Sequence, residues 1–311
     1  MPYTEVPFLP AGTVPYSHQV AGHKKSKISG TALLKHPHKP IVYKYLQDSC
    51  RGDREVEFYK CAFDVNAPEH FRSMRPFIAN YFGVFRCPAS QELYMGLSDL
   101  LNTFECPSVC DIKLGSITYA FDSPLAERLR EERKYQWRKQ LGFLISGMQV
   151  YDEQEGNLVM ATKEYCRSLD PEQVYTRALL PFLGTDPGRR VQLAQRFLVK
   201  LTNLKYWFEK TVAPSLTFCR TSLLIMHESS PSRSREHAEM KLIDFAHWYE
   251  LGGKRDDFVK RNSYAELTRG FLSGLCTLIN MMHRVLTSPT CDDATEELIQ
   301  HPSALFSSQP D

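Results

Sequence analysis

Four charged side chains sit where apolar, strand-like stretches would carry them: Lys44, Asp111, Lys113 and Asp244. Lys44 lies inside Ile41-Val42-Tyr43-Lys44-Tyr45-Leu46. Asp111 and Lys113 lie inside the pattern Pro107-x-x-x-Asp111-x-Lys113-x-Gly115, and Asp244 follows Leu242-Ile243. Side chains two apart in a strand share a face, so Asp111 and Lys113 put a carboxylate beside an ammonium. Taken singly, a strand lysine or aspartate is most often an ion-pair partner or a surface charge. Taken in order, they follow the layout of phosphoryl transfer in kinase-like folds: a strand lysine, a glutamate shortly after it, a mid-chain carboxylate and a late carboxylate. There the lysine meets nucleotide phosphates, one carboxylate orients the attacking hydroxyl and the other holds magnesium. The chain has no GxGxxG, GxxxxGK[ST], HRD or DFG sequence, which argues against an ordinary protein kinase or P-loop enzyme.

The elements that must hold these residues read as an α+β protein. Residues 41–46 form a strand after Pro40, and 48–53 a turn that leads into a helical pattern through Glu55 and Glu57. Phe71, Met74, Ile78 and Tyr81 recur at helical spacing, and 93–97 is a further strand. After the 107–115 strand, Ser123-Pro124 caps a helix loaded with Arg and Lys from Arg128 to Lys139. Residues 147–152 and 158–165 pair as a hairpin. Asp170-Pro171 with Gln173 caps another helix, and Leu193, Phe197, Leu201, Leu204 and Phe208 stripe a long amphipathic one. Strands at 222–228 and 241–245 flank a Ser/Arg loop. Ser263 with Glu266 suggests a capping box for a last helix, and residues 289–311 read as a loose tail.

The chain has 311 residues, 42% hydrophobic, 24% charged and 12% aromatic, a folded-enzyme profile that excludes fibrous or wholly disordered classes. No apolar run approaches the ~18 residues of a membrane helix, so no transmembrane segment is expected. The opening residues show no secretory signal, and nine cysteines without CxxC are expected as free thiols in a reducing compartment. Net charge is +2, from 38 basic and 36 acidic residues, which argues against nucleic acid as a partner. Local clusters remain: His23-Lys24-Lys25 with Lys27, Arg128 to Lys139, and Lys254-Arg255 with Lys260-Arg261.

The pattern Pro107-x-x-x-Asp111-x-Lys113-x-Gly115 resembles the PxxxDxKxG signature of the inositol polyphosphate kinase family. Ser222-Leu223-Leu224 and Ile243-Asp244-Phe245 resemble its SLL and IDF elements, in the same order. Ser17-His18-Gln19-Val20-Ala21-Gly22-His23, the stretch 51–59 and the stretch 142–151 resemble the multikinases of that family most. The resemblance covers nearly the whole chain. It implies a two-lobed kinase-like fold with antiparallel sheets and packed helices. An ATP-binding lobe would span residues 1–100 and a catalytic lobe 101–288, with a short inositol-phosphate-binding helical segment at about 123–141 and a flexible tail at 289–311.

The resemblance also implies roles. Lys44 would contact ATP phosphates, and Asp99 and Leu100 would hold adenine and ribose. Asp111 would orient or deprotonate the inositol hydroxyl, and Lys113 would neutralise the transferred phosphate. Asp244 would bind Mg2+, with Ser222 assisting, while Gln47, Arg51, Arg130, Lys134, Lys163 and His247 would contact the inositol phosphate. The activity implied is ATP-dependent multikinase phosphorylation of inositol tris- and tetrakisphosphates. The alternatives are a hexakisphosphate kinase, a trisphosphate 3-kinase or a non-catalytic inositol-phosphate-binding scaffold. Only 27 positions separate Gly115 from Gly142, room for one helix. In the family a large insertion here accompanies narrow trisphosphate 3-kinase specificity, so the resemblance implies an open, promiscuous site that would also sterically admit phosphatidylinositol bisphosphate. A monomer in the nucleus or cytoplasm is expected.

Overall fold

Strand β1 (Val14–Pro15), β2 (Leu33–Lys35) and β3 (Ile41–Tyr45) open the chain. Helix α1 (Ser49–Phe63), α2 (Glu69–Arg72), β4 (Tyr81–Arg86) and β5 (Leu93–Ser98) follow. The computed structural model describes residues 5–17, 33–47, 49–119, 123–230, 237–251 and 258–307. The clusters at His23–Lys27 and Lys254-Arg255, most of the Ser229–Arg235 loop and the opening Ser-His-Gln-Val-Ala-Gly-His motif after Ser17 lie outside the described residues. The five strands form an antiparallel sheet in the order β1-β2-β3-β5-β4.

The second part of the chain begins with β6 (Pro107–Leu114), α3 (Leu125–Glu132), α4 (Arg138–Leu141), β7 (Phe143–Asp152) and β8 (Asn157–Ala161). Then come α5 (Lys163–Ser168), α6 (Pro171–Gln173), α7 (Leu180–Leu183) and the long α8 (Pro187–Trp207). Strands β9 (Leu216–Phe218), β10 (Ser222–Glu228), β11 (Ala238–Ile243) and β12 (Trp248–Glu250) precede α9 (Phe258–Thr287), α10 (Asp293–Ile299) and α11 (Pro302–Ser307). A second antiparallel sheet runs β11-β10-β6-β7-β8. Strand β6 is central and buried along almost its whole length, so the charge at Asp111 stands out among buried neighbours such as Val109, Cys110 and Ile112.

Two contacts fix the site's frame. The ring of Phe58 on α1 stacks on Phe245 at 3.9 Å between centroids, both fully buried, and so ties the first sheet's helix to the residue after Asp244. At the end of β6, Gly115 N–H donates to Gly142 O at 2.8 Å, and Gly142 has φ 72 with its backbone against Gly274 of α9. A Cβ on Gly142 would lie 2.4 Å from Gly274 N, so only glycine permits this approach of α9 to the end of β6.

Several expected elements shift. The Phe71–Tyr81 stripe is not one helix: α2 ends at Arg72, a single 3₁₀ turn covers Arg75–Phe77, and Tyr81 begins β4. Pro76 prevents a continuous helix there, yet Phe71, Met74 and Ile78 are all buried, so burial held while the period did not. Ser263 lies inside α9 and not at its start. Pro124, without a side-chain cap, precedes α3 where Ser123 was expected to cap. Strand β8 stops at Ala161 because Thr162 caps α5, accepting from Tyr165 N–H at 3.1 Å.

Residues 289–307 pack where composition suggested a loose tail. Arg190, with no exposed surface, donates to both carboxylate oxygens of Glu296 at 2.7 and 2.9 Å. Ile299 and Leu305 are buried, and Ser303 Oγ donates to Asp152.

Candidate active site

A cavity of about 690 Å3 lies between the two sheets, lined by residues of β2, β3, α1, β5, β6, α3, α4, β7 and α5 and by the turn after β11. Of the expected site residues, Lys44, Gln47, Arg51, Asp99, Leu100, Asp111, Lys113, Arg130, Lys134, Lys163, Asp244 and His247 all line it. Ser222 does not. It is fully buried on β10, paired with Lys113 of β6 on one side and Ile243 of β11 on the other.

The centre of the site is a coupled set of charges. Lys44 Nζ donates to Glu55 Oε1 at 2.7 Å and to Asp244 Oδ1 at 2.6 Å. Burial works to lower the Lys44 pKa, but the charges of Asp244 and Glu55 outweigh it and hold the ammonium protonated far above its usual range. Asp244 has φ 65, a left-handed conformation that Asp tolerates, and this turns its carboxylate toward Lys44 while Phe245 enters the core. Glu55 also accepts from Phe245 N–H, so it holds the backbone of this turn as well as Lys44.

Asp111 is 6% exposed, and its pKa is pushed up to about 6, by burial first. Lys113 opposes that shift, the charge of Asp244 adds to it, and the Ser222 hydroxyl and Lys44 oppose it. Ser222 stands near enough to favour the carboxylate, yet neither Asp111 Oδ1 nor Ser222 Oγ completes a hydrogen bond. A buried carboxyl poised near neutrality, with an orphaned oxygen, is suited to accept a proton from an alcohol. A bulge in the pairing of β6 with β7 follows Asp111, whose partner is Gly147 while the next pair is Ile112 with Ile145. The extra residue, Ser146, joins the cavity wall.

The hard oxygen donors here suit a hard cation. Asp244 is about a third exposed, Asp111 has an unpaired oxygen, and the described residues contain no group of three or more His, Cys, Asp or Glu that could hold a metal unaided. One or two carboxylates completed by phosphate oxygens is the mode by which magnesium-type ions are usually bound.

The remaining polar lining is cationic. Arg51, Lys113, Arg130, Arg138, Lys163 and Arg167 line the cavity, and none has a side-chain hydrogen bond or ion pair among the described residues. Arg138 is only 5% exposed with Nε and Nη1 buried and unpartnered, and Nε of Arg167 is likewise orphaned. Burial lowers the Arg138 pKa to about 10, with Glu131 opposing that and the positive charge of Arg167 adding to it. Buried guanidinium nitrogens without acceptors are costly unless an anion arrives to accept from them. His247 is lowered to about 4, by burial and then by Arg220, Arg51, Arg54 and Lys113, and is therefore a neutral imidazole among cations.

Lys134 and Arg220 differ from these six. Glu131 accepts from Lys134 Nζ, Arg220 lies 3.6 Å from it, and Arg220 also pairs with Glu127. Helix α3 ends at Glu132, so Lys134 is not one turn along the same helix from Arg130 as the spacing suggested, although both reach the cavity. The sequence order calls for a glutamate shortly after Lys44 without choosing between Glu55 and Glu57, and it does not separate Arg138 from its basic run. Arg167, Glu131 and Ser146 carried no signal, because only the fold turns their side chains to the cavity.

The family model for inositol polyphosphate kinase matches residues 94–283. The inositol polyphosphate multikinase of Homo sapiens is 31% identical over 224 residues, covering 70% of this chain and 52% of that protein. The multikinase alpha of Arabidopsis thaliana is 28% identical over 295 residues, covering 88% of this chain and 96% of that one. The chain thus spans about half the length of its mammalian relatives. A solved structure of an inositol phosphate multikinase superposes with a TM-score of 0.56 at 26% identity, covering 75% of this chain and 99% of that one. The Saccharomyces cerevisiae multikinase in complex with ADP and Mn2+ superposes at 0.59 and 24% identity, over 79% of this chain and 99% of that one, which speaks to the fold alone.

Proposed function

The chain belongs to the inositol polyphosphate kinase family, and from that premise we propose that it is an ATP-dependent multikinase, phosphorylating hydroxyls of inositol tris- and tetrakisphosphates. The observation that carries this reading is the union, in one cavity, of the Lys44–Asp244–Asp111 charge set with six cationic side chains that have no acceptor among the described residues. A polyanionic alcohol satisfies both at once: its phosphates meet the cations and its free hydroxyl meets Asp111.

In this reading Asp111 accepts the proton of the attacking hydroxyl and aligns it, and Lys113 faces the transferred phosphate from the same strand. Lys44, held by Glu55, meets the nucleotide phosphates, and Asp99 with Leu100 receives the ribose and adenine. Asp244 would hold the Mg2+ of Mg-ATP, which would supply charge neutralisation to the transferred group. Ser222, buried on the neighbouring strand β10, serves Asp111 and is not a metal ligand. Arg51, Arg130, Arg138, Lys163 and Arg167 hold substrate phosphates. Lys134, already engaged by Glu131, contributes less. The retained charge set argues against a non-catalytic scaffold, which has no use for a carboxyl held near neutrality.

The test is turnover of Mg-ATP with a panel of inositol tris-, tetrakis-, pentakis- and hexakisphosphates, resolved by anion exchange. Product from trisphosphates and tetrakisphosphates is expected. Turnover of the hexakisphosphate alone would transfer the reading to a hexakisphosphate kinase, and no turnover of any member would sink it. Vesicles containing phosphatidylinositol bisphosphate added to the same panel test the lipid as a further substrate.

A further inference from the structure

The carboxylate assigned above to the ribose is already satisfied by the protein. Asp99, 1% exposed at its side chain, accepts at Oδ1 from Tyr16 Oη at 2.7 Å and from Leu101 N–H at 3.0 Å, and at Oδ2 from Lys35 Nζ at 2.7 Å. The two side-chain donors come from the edge of the first sheet. Pairing of Val14 with Lys35 and of Pro15 with Leu34 continues to Tyr16 N–H, which donates to Leu33 O, so Tyr16 lies diagonal to Lys35, whose ammonium is 5.8 Å from the tyrosine ring centroid. The acceptor comes instead from the segment after β5, where Leu101 packs with Val109 and Met226, and Tyr16 packs against that cluster. Burial and the Asp99 charge keep the tyrosine hydroxyl protonated, so it remains a donor at any working pH.

We propose that Tyr16 and Lys35 set nucleotide selectivity by keeping Asp99 hydrogen-bonded when no ribose hydroxyl is present, so that the site discriminates only weakly between ATP and its deoxyribose analogues. The proposal rests on the reading of Asp99 as the ribose acceptor of an ATP-dependent kinase. A site built around a buried polar group rejects an analogue lacking the matching hydroxyl chiefly because that group is left unpaired. Here the ribose diol exchanges its hydrogen bonds for ones that already exist, and an analogue without the diol leaves those in place. The buried carboxylate is paired in either case. Removal of the two donors reverses this, because the diol then becomes the main source of hydrogen bonds for Asp99 and its absence is felt in full.

The experiment compares ATP with 2′,3′-dideoxy-ATP by kcat/KM at fixed inositol trisphosphate, in the wild type, Tyr16→Phe, Lys35→Met and the double variant. The expected ratio is below about fivefold in the wild type and at least about fivefold larger in the double variant, as loss of a hydrogen bond to a charged group implies. A wild-type ratio above about fivefold, or one that does not rise in the double variant, overturns the proposal. KM for the inositol trisphosphate reports the fold of each variant, and Tyr16→Phe alone, which removes one oxygen, decides the matter if the double variant does not fold. Isothermal titration with the same two nucleotides reads the ratio without turnover. Nucleotide binding without turnover therefore sinks the kinase reading and leaves the Kd ratio to judge Tyr16 and Lys35, whereas no nucleotide binding at all overturns both.

Discussion

Replacing Asp111 with Asn should abolish turnover and at the same time stabilise the fold, with opposite pH signatures for the two effects. The folded-state pKa of Asp111 is about 6 against an ordinary 3.8, a rise of about two units caused first by burial. An acid whose pKa is raised on folding binds its proton more tightly in the folded state, so its contribution to stability is fully present below pH 3.8 and is lost as pH rises through 6. Two units at 1.36 kcal/mol each correspond to about 3 kcal/mol of destabilisation above pH 7. Because the group is 6% exposed, solvent screening reduces this little. Asp111→Asn keeps the shape and removes the titration, so it should be more stable than the wild type by up to about 3 kcal/mol at pH 7.5 and indistinguishable near pH 4. Its turnover should fall about 10²–10⁴-fold, the usual worth of a general base. Thermal unfolding of both proteins from pH 4 to pH 8, alongside kcat/KM at pH 7.5, makes the check. A variant less stable than the wild type at pH 7.5, or a stability difference that does not change with pH, would refute the burial argument. Retained activity would refute the role.

Three further outcomes follow from the same geometry. The pH profile of kcat/KM should have an acid limb near pH 6, with activity lost as Asp111 protonates, and Ser222→Ala should move that limb upward because the hydroxyl favours the carboxylate. Steady-state kinetics of Arg138→Met and Arg167→Met should show kcat/KM for the inositol phosphate lower by about ten- to a hundredfold with KM for ATP nearly unmoved, whereas Lys134→Met should change it by only about two- to threefold, its ammonium being held by Glu131. Arg190→Met should destabilise the protein by about 3 kcal/mol or more in urea unfolding, since it strands Glu296 and unpins α10 and α11, and it should leave KM for ATP unaltered.

The order of charged residues along this chain, with the motifs around them, was enough to single out the charges that meet at the centre of the cavity. Lys44, Asp111, Lys113 and Asp244 lie in stretches whose apolar neighbours force them into strands or the turn at a strand's end, and a strand buried on both faces leaves a charge no neutral explanation. The long helix 187–207 and the capping box at Asp170 were legible for the same reason: each is a local pattern with a local cause. Where a local pattern misled, tertiary packing had overruled it. Phe71, Met74 and Ile78 of the expected stripe are buried but the helix is broken by Pro76, and the polar tail found a partner for Glu296 in a buried arginine more than a hundred residues away.

The tertiary structure alone decided which charges are neutralised and which wait for a ligand. Nothing in the run from Arg128 to Lys139 distinguishes Lys134, held by Glu131, from Arg138, whose Nε and Nη1 are buried without an acceptor among the described residues. Nothing near Asp99 announces that Tyr16 and Lys35, 83 and 64 residues away, already fill its hydrogen bonds. Residue type and spacing determine what chemistry a side chain is able to do, because those are properties of one segment. Its ionisation and its availability are set by burial and by the charges around it, and those neighbours arrive from distant parts of the chain only when it folds.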